Sequence, residues 1–141
     1  MVAIDGHGAA GKTTIAGEVT GVLAAELIAT DSRLRNPPAP SSDRRGLAAY
    51  YDWEALRRVS LAPALASGTP LIIVEGVSAA SPALADLVTH AVLVVTPEPV
   101  RLARLRERIS PEEWDETWLA AERDYFASRP PGCFDLVVPG H

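Results

Sequence analysis

Residues 6–13, GHGAAGKT, carry the chemistry that is easiest to read in this chain. Gly6, Gly11, Lys12 and Thr13 fill every fixed position of the spacing G-x-x-x-x-G-K-[ST]. Glycines at these places let the backbone fold so that successive N–H groups turn inward. A helix opening at Lys12 adds its positive end at the same point. Such a loop cradles phosphate. Lys12 brings a flexible ammonium to the β- and γ-phosphates, and Thr13 brings a hydroxyl for Mg²⁺. His7, Gly8, Ala9, Ala10 and Thr14 contribute mainly backbone N–H groups. Lys12 is the only lysine among 13 basic residues. The arginine preference elsewhere reads as compositional, which makes the one lysine informative.

The cradle needs a strand before it and a helix after it, and the flanks supply both. An apolar run over 2–4 ends at Asp5, so a buried strand is expected there. From Lys12, Ile15, Val19, Val22, Leu23 and Leu27 recur at helical spacing and predict one buried face. Gly17 and Gly21 within that helix predict close approach to a sheet. A second strand over 27–30 delivers Asp31 at its C-terminal end. Residues 32–50 hold three prolines and four arginines without apolar period, which predicts a functional loop. Asp52 can cap a helix over 53–66, with a kink or break near Pro63. The run 71–74 predicts a buried strand ending at Glu75, and Ser81-Pro82 opens a short helix. A fourth strand is expected over 91–95.

A helix over about 99–109 carries Leu102, Leu105 and Ile109 on one stripe and Arg101, Arg104 and Arg108 on its neighbour. Ser110-Pro111-Glu112-Glu113 is a capping box for a helix with Trp114, Trp118, Ala121 and Tyr125 on one side. The last strand falls at 135–138. Strands alternating with helices imply an α/β protein with a parallel sheet covered on both faces, one domain over 1–141.

Composition narrows the function classes. A net charge of −5 disfavours a nucleic-acid partner, and no apolar run nears the roughly 20 residues that span a bilayer. A single cysteine, Cys133, fits a reducing cytoplasm. His90 and His141 lack metal-ligand spacing. No N–K–x–D element exists for reading guanine, since no second lysine is present. A small-molecule kinase, needing a base, a metal site, an acceptor pocket and arginines, fits a chain of 141 residues.

The stretches IDGHGAAGKTT (4–14), TDS (30–32), YDW (51–53), IIVEG (72–76), RLARLRER (101–108) and FDLVVPG (134–140) occur in an order that resembles the uridine kinase branch of P-loop kinases. The resemblance covers nearly the whole chain and is closest to compact forms from high-GC bacteria. It implies a three-layer P-loop NTPase sandwich whose five parallel strands run in the order 2-3-1-4-5. It further implies ATP and Mg²⁺ as cofactors, a small-molecule acceptor and a monomer or homodimer.

By the same resemblance, Asp31 is the general base for the acceptor hydroxyl, and Glu75 joins Thr13 in holding Mg²⁺. Arg104 and Arg108 neutralise the transferring phosphoryl group, with Arg101 as a third on that face. Asp52 grips the acceptor or caps the helix that follows it. Tyr51 and Trp53 stack on a base or belong to the core. Glu122, one turn beyond Trp118, faces the site. The sequence departs from the family pattern mainly on the acceptor side, at Ser32-Arg33-Leu34, at Trp53-Glu54-Ala55 and at Ile109 after Arg108. If Arg33, Arg35, Arg44 and Arg45 clamp a phosphate, the acceptor is a nucleoside monophosphate or sugar phosphate. An alternative of another class is a nucleotide-binding regulator that hydrolyses ATP slowly.

Overall fold

The structure is a computed structural model that describes residues 1–34, 46–110 and 116–141. Five parallel strands form one sheet: β1 Val2–Asp5, β2 Glu26–Ala29, β3 Ile72–Glu75, β4 His90–Val95 and β5 Leu136–Pro139, in the order β2-β3-β1-β4-β5. This is the expected order. Alternate residues of the central strands serve two cores. Ala3 and Val74 join Tyr51, Leu56, Leu61 and Leu84 on one face, while Ile4, Ile73 and Val94 pack with Ala16 on the other. Register aligns the strand ends. Glu75 lies opposite Ile4 on one side and Ala29 on the other. The C-terminal ends of β1, β2 and β3 therefore bring Asp5, Asp31 and Glu75 to one edge, where open α/β sheets bind ligands.

Helix α1, Lys12–Leu23, begins directly after the glycine loop. Its apolar face is narrower than its periodicity predicts. Ala16 is buried and Ile15 and Val19 are half-buried, but Val22 is 82% and Leu23 is 54% exposed. Leu27 belongs to β2 rather than to the helix. Gly17 and Gly21 do not serve close packing, because a Cβ at either would meet nothing within 4 Å. Their cost in helix propensity is therefore uncompensated. Gly17→Ala and Gly21→Ala should each stabilise the fold by about 0.5–1 kcal/mol, read from denaturant midpoints.

Asp52 caps the next helical run, its Oδ1 accepting from Ala55 N at 3.0 Å. The run passes from α2, Trp53–Ala55, through a π-type stretch, Leu56–Leu61, into α3, Ala62–Ala66. Pro63 lacks an N–H and sits at the start of α3, so the expected break takes the form of a widened turn before it. Helices α4, Glu98–Arg108, and α5, Glu116–Ser128, complete the layers, with a 3-10 turn at Gly46–Tyr50 packed on α5. Trp114, Arg35, Arg44, Arg45 and residues 111–113 of the expected capping box lie outside the described residues.

Candidate active site

The loop between β1 and α1 is shaped by backbone that few side chains tolerate. Gly6 has φ +153°, and a Cβ there would lie 2.5 Å from the Val94 carbonyl oxygen. Thr96 Oγ1 donates to the Ala10 carbonyl at 2.9 Å and holds the turn from below. Asp5 anchors its entry. Fully buried, it accepts from Gly6 N at 2.7 Å, Ala80 N at 3.0 Å and the Tyr125 hydroxyl at 2.7 Å. Burial nevertheless raises its pKa above the usual carboxylate value.

Lys12 is 7% exposed, and its Nζ donates to the His7 carbonyl at 2.8 Å, closing the loop on itself. Burial lowers the pKa of the ammonium, while the charges of Asp5, Glu75, Glu122 and Asp31 act to hold its proton. Thr13, one residue on, donates its hydroxyl to Glu75 Oε1 at 3.2 Å. Burial raises the Glu75 pKa, partly countered by Lys12, and Asp31 raises it further. A hydroxyl and a carboxylate oxygen side by side suit a hard cation that keeps most of its water. Among the described residues no cluster of three or more His, Cys, Asp or Glu side chains gathers, so a Mg²⁺ ion here would take its remaining ligands from phosphate and water.

Asp31 is exposed and lies in the 3-10 turn Thr30–Arg33 that follows β2. It stands beside Gly76, whose φ is +140° and whose missing Cβ would fall 1.9 Å from Thr30 Oγ1 and 3.5 Å from Asp31 Oδ1. Only a glycine at 76 lets the β2 and β3 ends approach this closely. Gly76→Ala should therefore destabilise the protein by about 1–3 kcal/mol in denaturant unfolding, and a midpoint equal to wild type would refute the close approach.

The expected acceptor residues separate. Tyr51 is fully buried, its hydroxyl donates to the Val77 carbonyl at 2.8 Å, and its ring stacks on Trp53 at 4.7 Å between centroids. Of the two roles open to Tyr51, stacking on a base or belonging to the core, the structure shows the second, because no face of the ring is open. Trp53 is also mostly buried, yet it borders a cavity of about 380 Å³ whose wall includes Ser78, Ser81, Asp124, Tyr125 and Ser128. Asp52 makes its cap bond to α2.

The arginines also differ from one another. Arg101 is 5% exposed and donates to the Gly8 carbonyl at 3.1 Å, and Arg104 donates to the Ala9 carbonyl at 3.2 Å. Arg108 is exposed on the last turn of α4. Glu122 reaches the loop from α5. Tyr125 and Asp5 join the site without a motif to mark them. The sequence signals Tyr125 only by its apolar stripe and Asp5 only as a strand end, and their hydrogen bond spans 120 residues.

No family model matches this chain, and no curated protein matches it in sequence. Solved structures do share its fold. A candidate fructose transport system kinase from Silicibacter sp. superposes with a TM-score of 0.69 at 20% identity, over 98% of this chain and 88% of that one. A candidate uridine kinase from Bacillus stearothermophilus gives 0.65 at 15% identity, over 96% and 86%. A sugar kinase from Janibacter sp. gives 0.63 at 18% identity, over 98% and 83%. The fold is thus an α/β three-layer sandwich that these solved structures share.

Proposed function

We propose that this chain is an ATP-dependent phosphotransferase that moves the γ-phosphate of MgATP to a hydroxyl of a small molecule, with a nucleoside as acceptor. The observation that carries the reading is the juxtaposition at one sheet edge of the buried Lys12, the Thr13–Glu75 pair and Asp31. Resemblance of fold to kinases named for uridine and sugars supports the class of reaction.

In this reading the Lys12 ammonium and the loop N–H groups outside Gly6, Gly8 and Ala10, whose own N–H groups are held by Asp5, Glu122 and the His7 carbonyl, bind and orient the phosphates. Thr13 and Glu75 would hold Mg²⁺, which when bound would supply positive charge to offset that of the phosphates. Asp31 takes the proton of the acceptor hydroxyl as its oxygen attacks the γ-phosphorus in line. The bond from that phosphorus to the bridging oxygen breaks, and ADP leaves. Arg104, bonded to the Ala9 carbonyl of the loop, would offset part of the charge that develops. Arg108 would add to it only from solvent.

A sugar acceptor is the second reading, and one observation favours it. The Tyr51 ring, one of two aromatics that could have stacked on a base, is consumed by the core. An acceptor screen coupled to ADP release, across nucleosides, nucleoside monophosphates and sugars, decides between them. Turnover with a nucleoside supports the first reading and turnover with a sugar alone the second. ADP release independent of any acceptor sinks both in favour of a slow ATP-hydrolysing regulator.

A further inference from the structure

Glu122 is a buried carboxylate for which the reaction has no use. It sits on α5 at 1% exposure, and its Oε1 accepts from Gly8 N at 2.5 Å across 114 residues of sequence. Its Oε2 lies 3.4 Å from His7 Nδ1 and 3.9 Å from Arg101 Nη1. Burial pushes its pKa up, but His7, the Gly8 N–H and Arg101 together hold it below the usual value, so it stays ionised.

Its partners converge on one residue. Gly8 gives its N–H to Glu122 and its carbonyl to Arg101, the cation that Glu122 itself faces. The next residue, Ala9, adopts the left-handed region at φ 58°, unusual for a residue with a side chain, and its carbonyl is held by Arg104. The outer side of Gly8 is closed as well. A Cβ there would lie 3.3 Å from Glu122 Oε1 and 3.8 Å from Leu105 Cδ2. One turn further along α5, Tyr125 grips Asp5, which in turn holds Gly6 N. Helix α5 therefore fixes the loop at both Gly6 and Gly8.

Stability alone does not call for this arrangement. Buried ion pairs rarely outperform apolar packing of the same volume, so a carboxylate kept here fits a geometric demand better than an energetic one. That demand is a loop held with Ala9 in left-handed backbone before any phosphate arrives.

We propose that Glu122 is a positioning residue that presets the phosphate loop by holding the Gly8 peptide and Arg101 from behind. The proposal rests on the nucleotide reading of residues 6–14, and the test separates the two. MgADP is titrated calorimetrically into wild type, Glu122→Gln and Arg101→Lys, each first checked for a cooperative melt. Glu122→Gln keeps the shape but loses the charge, and Arg101→Lys keeps the charge but loses the planar guanidinium whose Nη1 lies between Gly8 and Glu122.

Each variant should weaken MgADP about tenfold, because shaping the loop is then charged against binding. Amide exchange of the peptide spanning residues 6–11 should quicken in nucleotide-free Glu122→Gln and return to wild-type rates at saturating MgADP, with β4 unchanged. A merely structural role would instead quicken both segments together. Wild-type affinity in the folded variants overturns the proposal while leaving the nucleotide reading intact. Failure of wild type to bind MgADP overturns both. Should Glu122→Gln melt without cooperativity, Arg101→Lys decides alone, and wild-type affinity in it refutes the role.

Discussion

Lys12→Ala should reduce phosphoryl transfer by about 10²–10³-fold and weaken MgATP as well, since one preorganised charge facing a developing oxyanion has that worth. The structure makes the loss steep. Lys12 is the cation on which Asp5, Glu75, Glu122 and Asp31 all act. Without it, an incoming triphosphate meets those carboxylates with only backbone dipoles and the arginines of α4 to answer them. The His7 carbonyl also loses its donor, so the loop loses its internal tie. Lys12→Arg should not restore activity. The site is closely buried, and a planar fork cannot replace a compact ammonium on a flexible stem. Calorimetry with MgATP and a coupled ADP assay measure the two effects separately. Wild-type turnover in Lys12→Ala would remove the phosphate-cradle reading altogether.

Asp31→Asn should lower turnover by about 10²–10⁴-fold while MgADP affinity stays within about a few-fold of wild type. The separation follows from position. Asp31 is exposed at the β2 edge and lies beyond the loop, next to Glu75 and Gly76 rather than among the phosphate-binding amides. A side chain that merely ended the turn would move stability and leave the rate alone. Equal rates for Asp31→Asn and wild type would therefore reassign the base, with Glu75 the nearest remaining carboxylate at that edge.

The phosphate-loop motif and the individual strands were legible because each is written locally, whereas the order of the strands came from the resemblance to P-loop kinases. Gly6, Gly11, Lys12 and Thr13 occupy motif-fixed positions within eight residues, and the apolar runs of β3 and β4 are unbroken. What stayed hidden depends on contacts between distant residues. The Gly8–Glu122 and Asp5–Tyr125 hydrogen bonds span 114 and 120 residues, and nothing in either neighbourhood announces its partner. Periodicity also oversold α1, because a repeat of apolar residues reports a face but not whether a sheet is long enough to cover it. Here β2 and β3 are only four residues each, and the helix outruns them at Val22 and Leu23. Tyr51 shows how contacts close a choice that the sequence leaves open between ligand and core. An aromatic beside a polar motif suggests a ligand, yet its ring and hydroxyl are both satisfied internally.

Strand β5 is the outermost strand on its side, and Leu136 and Val137 on it are 54% and 45% exposed. Unpaired edges of this kind template intermolecular strand addition and aggregation. Two features restrain that here. The strand is only four residues long, and its final residue, Pro139, offers no N–H to a newcomer. Pro139→Val would give that edge one more N–H, and greater self-association on concentration, read by light scattering, is the expected result.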